Sequence, residues 1–160
     1  MAELNKTIAI KLIFLISIFA LVSAFFIEYV LGHQPCNLCI LERIPYILAI
    51  IIIILNYKFI HLEKYFILLL ILIFLVATIL SLYHLGIEQG FIKESLVCDL
   101  KNGSNLLSKE DILKQLQQKN VSCQDVTFKI FGLSLTSYNI IISLIISIIA
   151  AKIYFNYDNS

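Results

Sequence analysis

Four long apolar runs leave this chain few folds to choose from. They cover residues 12–31, 44–60, 65–85 and 138–155. Each is near the roughly 17–25 residues with which a helix crosses about 30 Å of hydrocarbon. The second run is short and is interrupted by Asn56 and Lys58, so its span is expected to borrow residues from the polar stretch before it. Hydrophobic residues make up 60% of the chain and charged residues 14%, against about 45–50% and about 25% in soluble domains. That excess does not fit inside one soluble core, which makes lipid the solvent. The expected fold class is all-α: a four-transmembrane-helix bundle, residues 1–160 forming one integral membrane domain. With a net charge of +1 there is no basic field to attract nucleic acid.

Lys6 and Lys11 precede the first run, and Val22-Ser23-Ala24 resembles a small-residue cleavage site, so a signal peptide is the competing reading of this segment. The run continues through Phe25, Phe26 and Ile27, longer than the 7–15 apolar residues of a signal sequence. It is therefore read as a retained span.

Four spans put both termini on one side and loops 32–43 and 86–137 on the other. Lys6, Lys11, Lys58, Lys64 and Lys152 lie near span ends on the side of the termini, while the short first loop offers only Arg43. The long loop holds six lysines and six acids, but long translocated segments weigh little in the positive-inside rule. The termini are expected in the cytoplasm and both loops on the outer side. Tyr29, Tyr46, Tyr83 and Tyr138 mark the outer ends, and Tyr57, Tyr65, Tyr154 and Tyr157 the inner ends, as amphipathic rings favour the headgroup level.

All four cysteines fall on the outer side: Cys36 and Cys39 in the first loop, Cys98 and Cys123 in the second. Disulfides persist in oxidising compartments such as the periplasm, so an even set confined to one face reads as disulfide chemistry. Zinc is an alternative for the C-x-x-C pair, but Cys98 and Cys123 are 24 residues apart in the intervening count and have no His beside them, so no metal ligand set is expected. A structural staple is another, although so small a loop gives little entropic stabilisation. Pro35 precedes the pair and an apolar helical run follows it. Thiols at a helix start feel unsatisfied N–H groups, which favour thiolate, the form that attacks disulfides.

Arg43 follows Cys39 by four residues and shares its face on a continuous helix. It is either an interfacial anchor with a snorkelling stem or a cationic fork that holds an acceptor's carbonyl oxygen. Pro45 removes an N–H, so the helix either kinks or restarts with Pro45 in its first turn. In the long loop, "SKEDILKQLQQ" opens like a capping box at Ser108 and Asp111 and reads as a short amphipathic helix on the membrane surface. Cys98 and Cys123 are a static clamp on this loop or the entry point for a soluble dithiol. Glu28, His84 and Glu88 sit near outer span ends, where an interfacial placement is favoured over a functional one, with proton shuttling as the alternative.

The stretch "QPCNLCILERIPY", with Cys98 and Cys123 in the second outer loop of four spans, resembles the disulfide bond formation protein B (DsbB) family. The specific part is C-x-x-C-x-x-x-R at the start of the second span. The resemblance implies an inner-membrane oxidoreductase that reoxidises a periplasmic thioredoxin-like disulfide donor, DsbA-like, and passes two electrons to ubiquinone or menaquinone. It implies disulfides Cys36–Cys39 and Cys98–Cys123, with Cys39 facing the quinone, Arg43 contacting it, and Cys98 forming the mixed disulfide with the partner. Such donors have potentials near −120 mV, so only an acceptor of higher potential reoxidises them. Cys36 is then expected to face water-borne exchange, and Cys39 and Arg43 to face the lipid-dissolved carrier. The competing readings are a vitamin K epoxide reductase-like enzyme and a non-enzymatic membrane protein with structural loop disulfides.

Overall fold

The computed structural model describes residues 2–93, 123, 129–130 and 132–157. The expected amphipathic helix at 108–118 and Cys98 lie outside the described residues. Helix α1 is Ala2–Tyr29, α2 Asn37–Leu41, α3 Ile44–Lys58, α4 Glu63–Glu88 and α5 Leu135–Tyr157. One 3₁₀ turn, Ile60–Leu62, links α3 to α4, and strands β1 (Lys129–Ile130) and β2 (Leu133–Ser134) pair antiparallel just before α5. Four stretches are long and apolar enough to cross a membrane: Lys6–Tyr29, Asn37–Lys58, Glu63–Glu88 and Leu135–Asn156. The chain forms the expected all-α, four-span bundle.

The second span gains its length from the polar motif. Cys36 caps α2, its Sγ accepting the Cys39 backbone N–H at 3.2 Å, so residues expected in the loop at 32–43 are helical from Asn37. Pro45 has no N–H to return to the Leu41 carbonyl, and the chain answers with a tightened turn. Glu42 bonds back to Leu38 at 3.0 Å, Arg43 to Ile40 at 3.1 Å, and α3 restarts at Ile44 with Pro45 in its first turn. The backbone at Glu42 and Arg43 stays right-handed, so α2 and α3 form one span with a short interruption rather than a sharp bend. Val22-Ser23-Ala24 lies well inside α1, which packs against α3 and α5.

Packing follows the rule for lipid, where tails are as apolar as leucine and close approach of helices matters more than burying grease. Ser17, Ser81 and Ser143 are fully buried, while Phe19, Val76 and Ile79 point outward. Helices α4 and α5 make the most extensive pair. Small Ala77 and Ser81 on α4 and Ser143 and Ala150 on α5 permit that approach, and Phe74 and Ile146 fill the space between the small residues. Two buried hydroxyls bond within their own helices: Ser17 donates to the Ile13 carbonyl and Thr78 to that of Phe74, both at 2.8 Å.

Helix α4 stops where the site needs it to. Gly90, at φ 75°, adopts the left-handed conformation that permits the Phe91 N–H to reach the Gly86 carbonyl at 2.9 Å, while the Gly90 N–H reaches Ile87 at 2.9 Å. His84 and Glu88 thereby occupy its last turns, at the end of the bundle that also holds Cys36, Arg43 and the start of α5. At the opposite end Lys6 pairs with Glu63 at 2.9 Å, tying α1 to α4.

Replacing Ala150, fully buried, with Leu overpacks the bundle and is expected to lower stability by about 1–3 kcal/mol. Ile148→Ala, at a side chain 59% exposed toward lipid, is expected to stay within about 0.5 kcal/mol of the parent. Unfolding midpoints in detergent test both, and equal losses would contradict the packing described.

Candidate active site

The site grows from the turn between α1 and α2. Cys36 and Cys39 face each other across the first turn of α2, Sγ to Sγ 2.7 Å, as free thiols sharing a hydrogen bond. Cys36 is only 5% exposed and belongs to a small buried cluster with Leu38, Ile87 and Cys123. Cys36, expected to face disulfide exchange, lies beside the loop cysteine rather than on the surface. Cys123 is disulfide-bonded, and Cys98, its expected partner, lies outside the described residues.

His84 completes the dithiol. Its Nε2 lies 3.5 Å from Cys36 Sγ, and its Nδ1 lies 2.9 Å from Glu42 Oε1 and 3.3 Å from Thr136 Oγ1. With Glu42 Oε1 accepting from Nδ1–H, Nε2 is the ring nitrogen that faces the Cys36 sulfur and exchanges a proton with it. The Cys36 thiol is pulled down to about 5, first by the hydrogen bond from Cys39 and then by His84, against the opposing effect of burial. Cys36 is thus held as a thiolate at neutral pH.

A polar network anchors this geometry to α4 and α5. Asn139 donates to Glu42 Oε2 at 3.0 Å and to Ser81 Oγ at 2.8 Å, and it accepts from the Tyr46 hydroxyl. Thr136 donates to Glu88 Oε1 at 2.5 Å. His84 is 1% exposed and the Glu88 side chain 8% exposed, so at the outer end of the span both face into the bundle rather than out to solvent. Both line the inside of the bundle because the end of α4 packs against α5. Glu42, Thr136, Asn139 and Ser81 are members that sequence reading assigned no role, and Tyr46 was read there only as a ring at the outer end of its span. Their signal was faint: each is a polar residue one helical turn from another on an otherwise apolar helix.

Arg43 turns to the other side of the span. Its guanidinium pairs with Glu28 of α1 at 2.5 Å and lies 5.0 Å from the centre of the Phe25 ring, with 15% of the side chain exposed. Between α1, the α2–α3 junction and α5 lies a cavity of about 310 Å³. Phe19, Ala24, Ile27 and Ile142 supply apolar wall, and Cys39, Arg43, Glu28 and Glu42 are among its polar groups, with His33, Gln34 and Asn139 also on the lining. Cys39 and Arg43, expected to share a face, border this one space; Cys36 does not line it.

Comparison with known proteins agrees with the geometry. The family described as disulfide bond formation protein DsbB matches residues 6–153. The chain belongs to the DsbB family. It is 33% identical over 146 residues to "Uncharacterized protein RP370" of Rickettsia prowazekii (strain Madrid E), covering 88% of this chain and 83% of that one. No solved structure gives a significant match. Membership makes this a multi-pass membrane protein of disulfide bond formation with an oxidoreductase role.

Because the Cys39 hydrogen bond is the largest cause of the low Cys36 pKa, Cys39→Ala is expected to move the thiolate midpoint from about 5 up toward the free-thiol value of about 8.5. Thiolate ultraviolet absorbance against pH, in reduced and chelator-treated protein with Cys36→Ser as the blank, reads this. A midpoint near 8.5 in the unsubstituted protein would contradict the geometry.

Proposed function

We propose that this DsbB-family chain takes two electrons from the dithiol of a periplasmic thioredoxin-fold protein, DsbA-like, and delivers them to a quinone in the bacterial inner membrane. The observation that carries this is the division of labour within one dithiol. Cys36 packs against Cys123 of the second loop, and its hydrogen-bonded neighbour Cys39 borders an apolar cavity beside Arg43.

The order of exchange follows from position. The partner's thiolate attacks Cys98, the Cys98–Cys123 bond breaks, and the partner leaves as a disulfide when its second thiolate displaces Cys98. The Cys123 thiolate then attacks Cys36, its neighbour, and the Cys36–Cys39 bond breaks with Cys39 as the leaving thiolate at the cavity wall. Attack of Cys98 on Cys123 restores the loop disulfide and frees Cys36. His84 Nε2 accepts the Cys36 proton while Glu42 holds Nδ1–H, which fixes the ring's orientation and supports its positive charge.

The cavity suits a neutral ring with polar edges: its wall is mostly apolar, and Arg43 offers N–H donors to a carbonyl oxygen. A bound quinone supplies an acceptor for two electrons and two protons, so dithiol plus quinone gives disulfide plus quinol. Ubiquinone and menaquinone both satisfy that balance. Lysines near the ends away from the cysteines support cytoplasmic termini and periplasmic cysteine loops.

Purified protein is expected to oxidise a thioredoxin-fold dithiol with equimolar loss of quinone. Consumption of thiol without quinone loss would remove the reading. Cys39→Ser should insert normally and abolish turnover. Arg43→Met should raise the quinone KM about tenfold, as expected for losing one charge-assisted hydrogen bond worth about 1.5 kcal/mol. Cys123→Ser should accumulate a mixed disulfide between Cys98 and the partner, visible on a non-reducing gel; its absence in cells holding the partner would favour a static clamp.

A further inference from the structure

The geometry points to a zinc-binding site in the reduced protein, formed by the Sγ atoms of Cys36 and Cys39 and Nε2 of His84, with Glu42 orienting the histidine from behind. This goes beyond the electron-transfer reading and does not depend on the identity of the acceptor. The three donor atoms all lie within 4.8 Å of one another. Two thiolates and an imidazole are the ligand types that zinc prefers, and three protein ligands with an open fourth position are a common zinc arrangement.

The distances discriminate further. Tetrahedral zinc with bonds of about 2.3 Å to sulfur and about 2.0–2.1 Å to nitrogen places those two donors about 3.5 Å apart. Cys36 Sγ and His84 Nε2 are 3.5 Å apart. The same bond lengths place two sulfurs about 3.8 Å apart, so the 2.7 Å separation must open by about 1 Å. Rotation about the Cys39 side chain provides this, because Cys39 borders the cavity and has space to move into.

An independent feature also points to a metal. Histidines that ligate zinc regularly donate their other ring N–H to a carboxylate, which fixes the tautomer and raises ligand basicity. His84 Nδ1 meets Glu42 Oε1 at 2.9 Å, and Glu42 is itself held through Oε2 by Asn139 at 3.0 Å. The nitrogen left facing the sulfurs is therefore the one with the free lone pair. The cavity that reaches Cys39 and Glu42 gives the ion a route in and leaves the fourth position to water.

Zinc on the two sulfurs occupies the lone pairs with which they attack disulfides, so the bound form is inactive. Oxidation of Cys36–Cys39 removes both thiolates and with them the site. Zinc thus competes with the acceptor for the reduced dithiol, and each electron transfer out of the pair releases the metal.

Cobalt(II) is the probe, added to the reduced, detergent-solubilised full chain. The expected result is a sulfur-to-cobalt charge-transfer band with the visible bands of a tetrahedral site, bleached by one equivalent of zinc. Protein with Cys36–Cys39 oxidised must show neither, and it serves as a folded control. Glu42→Gln is expected to weaken zinc about 10–100-fold with the tetrahedral spectrum retained, and His84→Ala to remove the visible intensity. Absence of the band in reduced protein overturns the site. A band unchanged by His84→Ala also overturns it, since the dithiol alone would then be the ligand. Both readouts are independent of quinone turnover, so failure here is distinguishable from failure of the proposed reaction.

Discussion

Much of the architecture at the cysteine end depends on the contact between His84 and Glu42. A charged or half-charged pair in a lipid-embedded bundle survives only when its remaining donors and acceptors are met, since an isolated ion there is costly. Here Thr136, Asn139 and Ser81 meet them, and those residues come from α4 and α5. The pair therefore joins α4 to the α2–α3 junction, and its satisfaction brings α5 into the same cluster. Because the partners come from three spans, the geometry around Cys36 is a property of the assembled bundle.

The interruption between α2 and α3 serves that cluster. Were the span one regular helix, Pro45 would strip the Leu41 carbonyl of its partner and collide with it. The tightened turn at Glu42 and Arg43 absorbs the defect. It also lets two adjacent residues serve different purposes: Glu42 reaches inward to His84, and Arg43 reaches across to Glu28 of α1. One proline thus sits beside the branching of two networks.

Spans and fold class were legible because length and hydropathy are sums over many residues, and errors at single positions cancel. The second span borrows residues from the polar motif, as its short apolar run suggested; they are helical because Cys36 caps them and their side chains bond to other spans. Cys39 and Arg43, read from spacing as sharing a face, both border one cavity although the helix is interrupted between them. That His84 and Glu88 face into the bundle was not legible because their partners lie 42 and 48 residues away in sequence, at Glu42 and Thr136. No local pattern encodes such a pairing. The packing of Cys36 beside Cys123 was hidden for a similar reason: the two belong to different loops.

The Arg43–Glu28 pair has a consequence for what lipid itself does. A bare arginine on a wall open to the bilayer would be a binding site for phospholipid phosphate, present in vast excess over any redox carrier. With Glu28 beside it, the wall is close to neutral, and an anionic headgroup approaching Arg43 meets a carboxylate at the same distance. An uncharged ring suffers no such repulsion. In the proposed reaction, such a wall would suit an uncharged ring better than the anionic headgroups that surround it.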